Sequence, residues 1–353
     1  MQNQKITSPS FFIGKTSKDL ISFGSGQPDL PPPKLCFDFL KDYHEFKYGE
    51  IQGKEELREA IAKNYPNATK ENIIITNGAS EGIDLSLRAL YKKETKILIP
   101  RPYYYSYPHN VKYANMTCVY YDLIKGKIDI DNFKEKIKGC RAVIINSPGN
   151  PTGTIQEIET LREIERITKK LGVYIISDEV YKDMIYDREN YLIEGKNVLT
   201  INSFSKTYSL CGARIGYIYA RNKKWIEDIV AIKTHTSMNT SIVSQEMALM
   251  ATKTSQTHID NQTKIWQKRR DLIYNGIKKL NLPVWKPEGA FYLFVTIKNP
   301  QKVMEDLYNK YNVVVYNGEW FGKNDRIRFS YALDEDKIIE GLKRFEIYLK
   351  NDY

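Results

Sequence analysis

Between positions 73 and 220 the chain alternates short, nearly continuous apolar runs with longer amphipathic stretches. The runs occupy residues 73–76, 96–99, 118–121, 142–145, 173–176, 198–201 and 216–219. A strand that is apolar at nearly every position belongs to a sheet covered on both faces. The intervening stretches carry apolar residues near every third or fourth position, as over residues 155–171, and read as helices. This alternation predicts an α/β fold with a mainly parallel, seven-stranded sheet flanked by helices. Ligands of such sheets bind beyond the carboxyl ends of the strands. Asn150, Asp178 and Lys206 each follow one of the seven runs.

The last third changes character. Residues 225–280 read as long helices, and Asn281-Leu282-Pro283 interrupts them. Strand-like runs at 291–295, 313–315 and 326–330 then alternate with helical stretches, which predicts a smaller α+β domain built from both termini. The expected division is 47–270 for the large domain and 1–46 plus 271–353 for the small one. Pro31-Pro32-Pro33 reads as a stiff turn before a helix.

At 353 residues the chain is long enough for one large domain and a smaller one. A net charge of +10 would suit a polyanion, but the lysines are scattered in pairs such as Lys92-Lys93 and Lys169-Lys170, so no nucleic-acid partner is expected. The four cysteines, Cys36, Cys118, Cys140 and Cys211, show no C-x-x-C spacing and no nearby histidine cluster. They read as free thiols of a reducing compartment, with no metal site. No apolar run reaches membrane-spanning length, and Met1-Gln2-Asn3-Gln4-Lys5 is no signal peptide; the expectation is a cytoplasmic protein.

The candidate chemistry centres on Ser203-Phe204-Ser205-Lys206 with Arg214 downstream. A lysine amine flanked by hydroxyls and a guanidinium is what a phosphate-bearing aldehyde requires: the amine forms a Schiff base and the other groups hold the phosphate. Such a lysine must be partly desolvated or lie near positive charge, so that the neutral amine is accessible. Asp178 at a strand tip suits a buried cation such as a protonated pyridine nitrogen, which keeps the ring an electron sink. Read alone, it is also a helix N-cap. Asn150, held extended by Pro151, suits a ring phenolic oxygen, although Asn-Pro-Thr-Gly is also a turn signature. Gly78-Ala79-Ser80 falls between a strand and a helix beginning near Glu81, where small residues let backbone N–H groups approach a phosphate; the plainer alternative makes Ser80 an N-cap. Tyr104 is a candidate for stacking on the ring, with Tyr103 and Tyr105 as rivals. Arg328 and Arg326 share a face of one strand, and either suits a substrate carboxylate.

Together these segments resemble the pyridoxal 5′-phosphate enzymes of fold type I, and specifically the class I/II aminotransferases of the aspartate and aromatic group. Gly24-Ser25-Gly26-Gln27-Pro28-Asp29, Tyr48-Gly49-Glu50-Ile51-Gln52-Gly53, Asn150-Pro151-Thr152-Gly153, Ser177-Asp178-Glu179-Val180-Tyr181, Pro287-Glu288-Gly289-Ala290-Phe291-Tyr292 and Arg328-Phe329-Ser330-Tyr331-Ala332 carry the resemblance from about Ile21 to Phe345. It implies transamination between an α-amino acid and a 2-oxo acid through a Lys206 Schiff base, the freed amine serving as general base. It assigns Lys206, Asp178 and Tyr181 to catalysis. Asn150, Ser203, Ser205, Arg214, Ala79, Ser80, Tyr104 and Tyr48 join those three in binding the cofactor, with Tyr48 reaching the neighbouring subunit's phosphate. Substrate falls to Arg328, preferred over Arg326 by this match, with Gly26 and Asn150. It further implies a homodimer with shared active sites. Length and residues 70–78 also resemble histidinol-phosphate aminotransferases. A C–S β-lyase is a second reaction open to the same lysine and aspartate.

Overall fold

The computed structural model describes residues 6–15 and 17–353, so the first five residues, read above for a leader sequence, lie outside the described residues. Seven strands form the main sheet: β1 (Ile73–Thr76), β2 (Lys96–Arg101), β3 (Thr117–Ile124), β4 (Ala142–Asn146), β5 (Tyr174–Asp178), β6 (Val198–Ser203) and β7 (Gly216–Tyr219). Their order is β1-β7-β6-β5-β4-β2-β3, with the two-residue strand Lys127–Ile128 added antiparallel beside β3 as an eighth. That short strand was not expected, because two residues leave no periodicity to read. β2, β3, β4, β5 and β6 pair in parallel, and β7 runs antiparallel to both of its neighbours.

The apolar runs bury both faces because successive side chains point to opposite sides. Ile97, Ile99, Ile144, Ile176, Leu199 and Ile201 pack in one cluster with Ile83, Leu87 and Leu90 of the helix Gly78–Leu90. Their neighbours in sequence, Leu98, Val143, Ile145, Ile175 and Val198, pack in another with Leu161 and Ile164 of the helix Ile158–Leu171. The latter helix ends at Gly172, whose φ of +66° is the left-handed cap that glycine takes without cost. The helix Gly78–Leu90 starts earlier than the expected position near Glu81, because Asn77 rather than Ser80 is its N-cap. Glu81 accepts hydrogen bonds from the Asn77 backbone N–H and side-chain amide.

The final third holds the helices Lys223–Thr234, Ile242–Ala251 and Gln256–Lys279, then an antiparallel sheet of β8 (Tyr292–Thr296), β9 (Tyr316–Asn317) and β10 (Arg326–Ser330) in the order β8-β10-β9. Near the other terminus, Ile21–Ser22 pairs in parallel with Val313–Val314. Phe23, Trp266, Phe291, Phe294, Phe329 and Phe345 share the core beneath this sheet. Tyr181 and Met184, just past the end of β5, pack into the same core, so the tip of the main sheet and the small sheet meet there. Cys36 packs instead with Leu57, Ile61 and Ala248, on the side of the main sheet.

Candidate active site

A cavity of about 520 Å³ opens where the two sheets meet. Its lining includes Gly26, Ala79, Ser80, Tyr104, Asn150, Asp178, Tyr181, Ser203, Ser205, Lys206, Arg214 and Arg328. Of the residues that the resemblance assigns to the site, Tyr48 is not brought to the cavity by this chain: it is 85 % exposed and sits beside His44, Phe46 and Ile242. Tyr103 also stays outside, against Tyr120 and Gly322, whereas Tyr104 and Tyr105 both line the cavity.

Lys206 lies in the short helix Phe204–Thr207 directly after β6, capped by Ser203, whose hydroxyl accepts from the Ser205 N–H at 3.0 Å. The Ser203 hydroxyl also donates to the Ser205 hydroxyl at 2.8 Å. The Lys206 ammonium donates to the Gly26 carbonyl at 2.5 Å. Burial holds its pKa below the ordinary lysine value, and the Arg328 and Arg214 guanidiniums add to that, against Cys211 and Asp178. Desolvation and neighbouring positive charge, the two conditions for an accessible neutral amine, are both met. Gly26 has no room for a side chain, because a Cβ would collide with the Tyr292 hydroxyl.

Asp178 is the last residue of β5 and is buried. One oxygen accepts from the Tyr107 hydroxyl at 2.5 Å and the other from the Val180 N–H at 3.4 Å. Burial outweighs these donors and raises its pKa to about 6. Among the described residues no cation forms an ion pair with it, so the site holds a carboxylate built for a positive partner that the chain does not supply. Asn146, at the end of β4, donates to the Asp178 carbonyl at 2.9 Å and accepts from the Asn150 N–H at 2.8 Å, tying the two strand ends together. The Tyr181 and Tyr292 hydroxyls lie 2.7 Å apart.

The Asn77–Ser80 turn approaches Arg214 closely. A Cβ on Gly78, whose φ is +75°, would stand 2.7 Å from the guanidinium. A guanidinium, two serine hydroxyls and the N-terminus of a 13-residue helix thus converge at one end of the cavity, which is the donor set a phosphate requires.

Arg328, on β10, forms the opposite wall. It is 2 % exposed, donates to Asn150 Oδ1 at 2.9 Å and to the Gly24 carbonyl at 2.6 Å, and leaves its Nε buried without a partner. The rings of Tyr292, Phe321 and Tyr316 lie 4.4, 4.7 and 4.8 Å from its guanidinium carbon. Arg326 is not part of the cavity lining and stacks on Trp285 at 4.5 Å.

Among the cavity residues to which the sequence reading gave no role, three bond directly to predicted ones: Tyr107, Asn146 and Tyr292. Tyr107 follows Tyr104 by three residues and is one of 26 tyrosines, so nothing in the pattern singles it out. Asn146 is the last residue of an apolar strand. Tyr292 stands in a recognisable segment but carries no motif role of its own.

A lysine and an aspartate at neighbouring strand tips, facing a phosphate cradle across an α/β sheet, define a pyridoxal-phosphate enzyme. The family Aminotransferase class I and II matches residues 18–345. A probable aspartate/prephenate aminotransferase of Aquifex aeolicus is 32 % identical over 93 % of this chain and 90 % of its own. A probable aspartate aminotransferase of Methanocaldococcus jannaschii is 34 % identical over 92 % of each chain. Among solved structures, aspartate aminotransferase of Thermotoga maritima superposes with a TM-score of 0.91 at 29 % identity, covering 97 % of this chain and 95 % of that one. Aromatic aminotransferase of Pyrococcus horikoshii gives 0.89 at 31 % identity, covering 97 % and 99 %. The chain belongs to the class I and II aminotransferases. Its cofactor is pyridoxal 5′-phosphate, and it catalyses amino-acid transamination.

Proposed function

We propose that Lys206 carries the cofactor and acts as general base, that Arg328 binds the α-carboxylate of the amino acid, and that the donor side chain is uncharged. Arg328 carries this reading. It is a buried cation that meets only neutral acceptors among the described residues and keeps one N–H unpartnered. Burying such a charge is costly until a carboxylate joins it, and a bidentate carboxylate completes the fork.

Pyridoxal phosphate supplies a carbonyl that condenses with amines and a ring that takes up electron density. Around it, the chain's residues divide the work. Ser203, Ser205, Arg214, Ala79 and Ser80 hold the phosphate end. Asp178 holds a proton at the ring nitrogen by ion pairing, and Tyr107 keeps that carboxylate in place. Asn150 and Tyr181 would hold the ring oxygen, and Tyr104 would supply a ring for stacking. The Lys206 amine would hold the cofactor's carbonyl carbon and, when free, would take the proton from the donor Cα and return it to that carbon. Gly26, where a Cβ would meet the Tyr292 hydroxyl, lets its backbone carbonyl come within reach of the Lys206 amine.

Among the described residues the cations lining the cavity are Lys206, Arg214 and Arg328, all engaged by this scheme, while Tyr104, Tyr105, Tyr107, Tyr181, Tyr292 and Tyr316 supply rings. A neutral, aromatic side chain fits such a lining. Measured kcat/KM values with 2-oxoglutarate as acceptor test this: phenylalanine or tyrosine should exceed aspartate. An aspartate preference overturns the reading and requires a cation beyond those that line the cavity among the described residues.

Two domains, 47–270 and 1–46 plus 271–353, accommodate this site between them; the pairing of Ile21–Ser22 with Val313–Val314 supports the second, and the packing of Cys36 with Leu57 argues for a boundary before Cys36. The protein acts as a homodimer in which Tyr48 reaches the partner's site. The exposure of Phe46 and Tyr48, 76 and 85 %, supports an apolar contact there. Four free thiols support a cytoplasmic location.

A further inference from the structure

Lys233 lies near the end of the helix Lys223–Thr234 and has no exposed surface. It is not part of the cavity lining. A fully buried ammonium is costly unless it is paired and hydrogen-bonded. Among the described residues its one carboxylate partner is Glu81, at 2.8 Å, and the Ser237 hydroxyl adds a second contact at 2.9 Å. Glu81 uses the same Oε2 to accept from the Asn77 backbone N–H at 2.6 Å, and its Oε1 accepts from the Asn77 side-chain amide at 3.0 Å. Burial alone would raise the Glu81 pKa, but Lys233, Ser237 and the Asn77 N–H hold it below the usual range, so it stays ionised.

Asn77 ends the turn from β1 and caps the helix Gly78–Leu90, and Ala79 and Ser80 follow it into the cavity. On its other side the turn is confined. Gly216 is so close that a Cβ there would lie 2.9 Å from the Ala79 nitrogen, and Gly78 meets Arg214. The turn is thus gripped from both sides, by packing against β7 and Arg214 and by a carboxylate that a buried lysine fixes in place. Donors that bind a phosphate must be held to a fraction of an ångström, which a loosely anchored turn does not achieve.

We infer that Lys233 is a positioning residue for cofactor phosphate binding, acting through Glu81 on the Asn77–Ser80 turn. The inference rests on the proposed assignment of that turn and Arg214 to the phosphate. Neither Lys233 nor Glu81 lines the cavity, so their effect passes through the placement of the turn.

The test is calorimetric titration of the full chain, freed of cofactor, with pyridoxal phosphate and separately with pyridoxal, which lacks the phosphate. Lys233→Met should weaken pyridoxal phosphate binding roughly tenfold, the size of one charge-assisted hydrogen bond, and leave pyridoxal binding unchanged. Glu81→Gln should give a loss of the same kind. Because Lys233 acts through Glu81, adding Lys233→Met to Glu81→Gln should change the affinity by less than about twofold. The double variant contains no unpaired buried charge, so its own affinities decide the question if either single variant does not fold: a roughly tenfold loss confined to pyridoxal phosphate supports the inference, and an unchanged affinity overturns it. Equal weakening of both ligands, no weakening of either, or additive effects in the double variant would overturn the inference. Arg214→Leu separates this from the phosphate assignment. If it lowers the preference for the phosphorylated ligand while the Lys233 and Glu81 variants do not, the assignment stands and the inference fails. If it does not lower that preference, both fall.

Discussion

The two walls of the cavity are built differently. The wall at the main sheet takes Asp178, Ser203, Ser205 and Lys206 from the ends of adjacent strands; Ser203 and Ser205 bond each other and Asp178 accepts from Val180, while Tyr107 and Gly26, 71 and 180 residues away, tie Asp178 and Lys206 across the chain. The wall at the small sheet takes Arg328 from β10 and bonds it to Asn150 and Gly24, 178 and 304 residues away. The first wall is placed by adjacent strand ends and short turns, with Tyr107 and Gly26 as cross-ties. The second exists only when distant parts of the chain are together, and it leaves a buried guanidinium nitrogen without a partner. The difference suits a permanently held cofactor on one side and an exchanging substrate on the other.

The largest effect should come from the first wall. Lys206→Ala should reduce turnover by about 10⁴-fold or more, since it removes both the attachment amine and the general base. The variant should melt near the wild-type temperature, because Lys206 packs against a cavity rather than a core. Turnover within tenfold of wild type in steady-state assays would eliminate the assignment.

The second wall should respond in kcat/KM for the donor. Arg328→Leu should lower it by about 10²–10³-fold, the range for truncating one partner of a buried charge pair, and Arg328→Lys should recover only part because it lacks the fork. If cofactor affinity falls as far as donor efficiency, the division of labour between the walls is wrong.

Much of the first wall was legible in the sequence, for a physical reason. Strand tips follow continuous apolar runs, and a sheet covered on both faces leaves its carboxyl ends as the ligand edge, so Asp178 and Lys206 could be located from periodicity and short motifs alone. The seven runs of the main sheet appear as β1 to β7 for the same reason. The helix start at Gly78 was missed because Glu81, read as an early helical residue, reaches back to Asn77. The second wall was less legible. Arg326 and Arg328 share strand parity, so periodicity does not separate them; the family resemblance prefers Arg328, and packing puts Arg328 in the cavity and Arg326 on Trp285. Tyr107 depends on a contact across 71 residues, which no local pattern carries.

Asp178 links the first wall to stability. Burial raises its folded pKa to about 6, above the unfolded value of about 3.9. Folding therefore favours the neutral carboxyl: the stability tied to it is complete below pH ~4 and is lost as pH rises through ~6. For the cofactor-free protein, Asp178→Asn should match wild type in thermal melts near pH 4. It should exceed wild type by up to about 2–3 kcal/mol above pH 6, from a pKa difference of about two units. With cofactor bound the gain should disappear, because the ring cation then pairs with the aspartate and not with the asparagine. A constant difference at all pH values would mean that Asp178 is not the titrating group.

Tyr107→Phe should give the smallest effect and the sharpest view of how the first wall is tuned. The Tyr107 hydroxyl donates to Asp178 Oδ2 from a fully buried position, and it favours the ionised carboxylate. Phenylalanine keeps the ring against Tyr104, an edge contact with centroids 5.5 Å apart, and deletes only the donor. The carboxylate keeps a single N–H, from Val180 at 3.4 Å, so its pKa should move above the present value of about 6. Two consequences separate this role from general packing. In the cofactor-free protein, the pH range over which stability is lost should extend upward. In the loaded enzyme, kcat should fall about tenfold, as expected for a hydrogen bond to a charged group, while KM for the donor, set at the Arg328 wall, stays within twofold. A rise in KM without a change in kcat would place Tyr107 with the substrate wall and dissolve the distinction between the two.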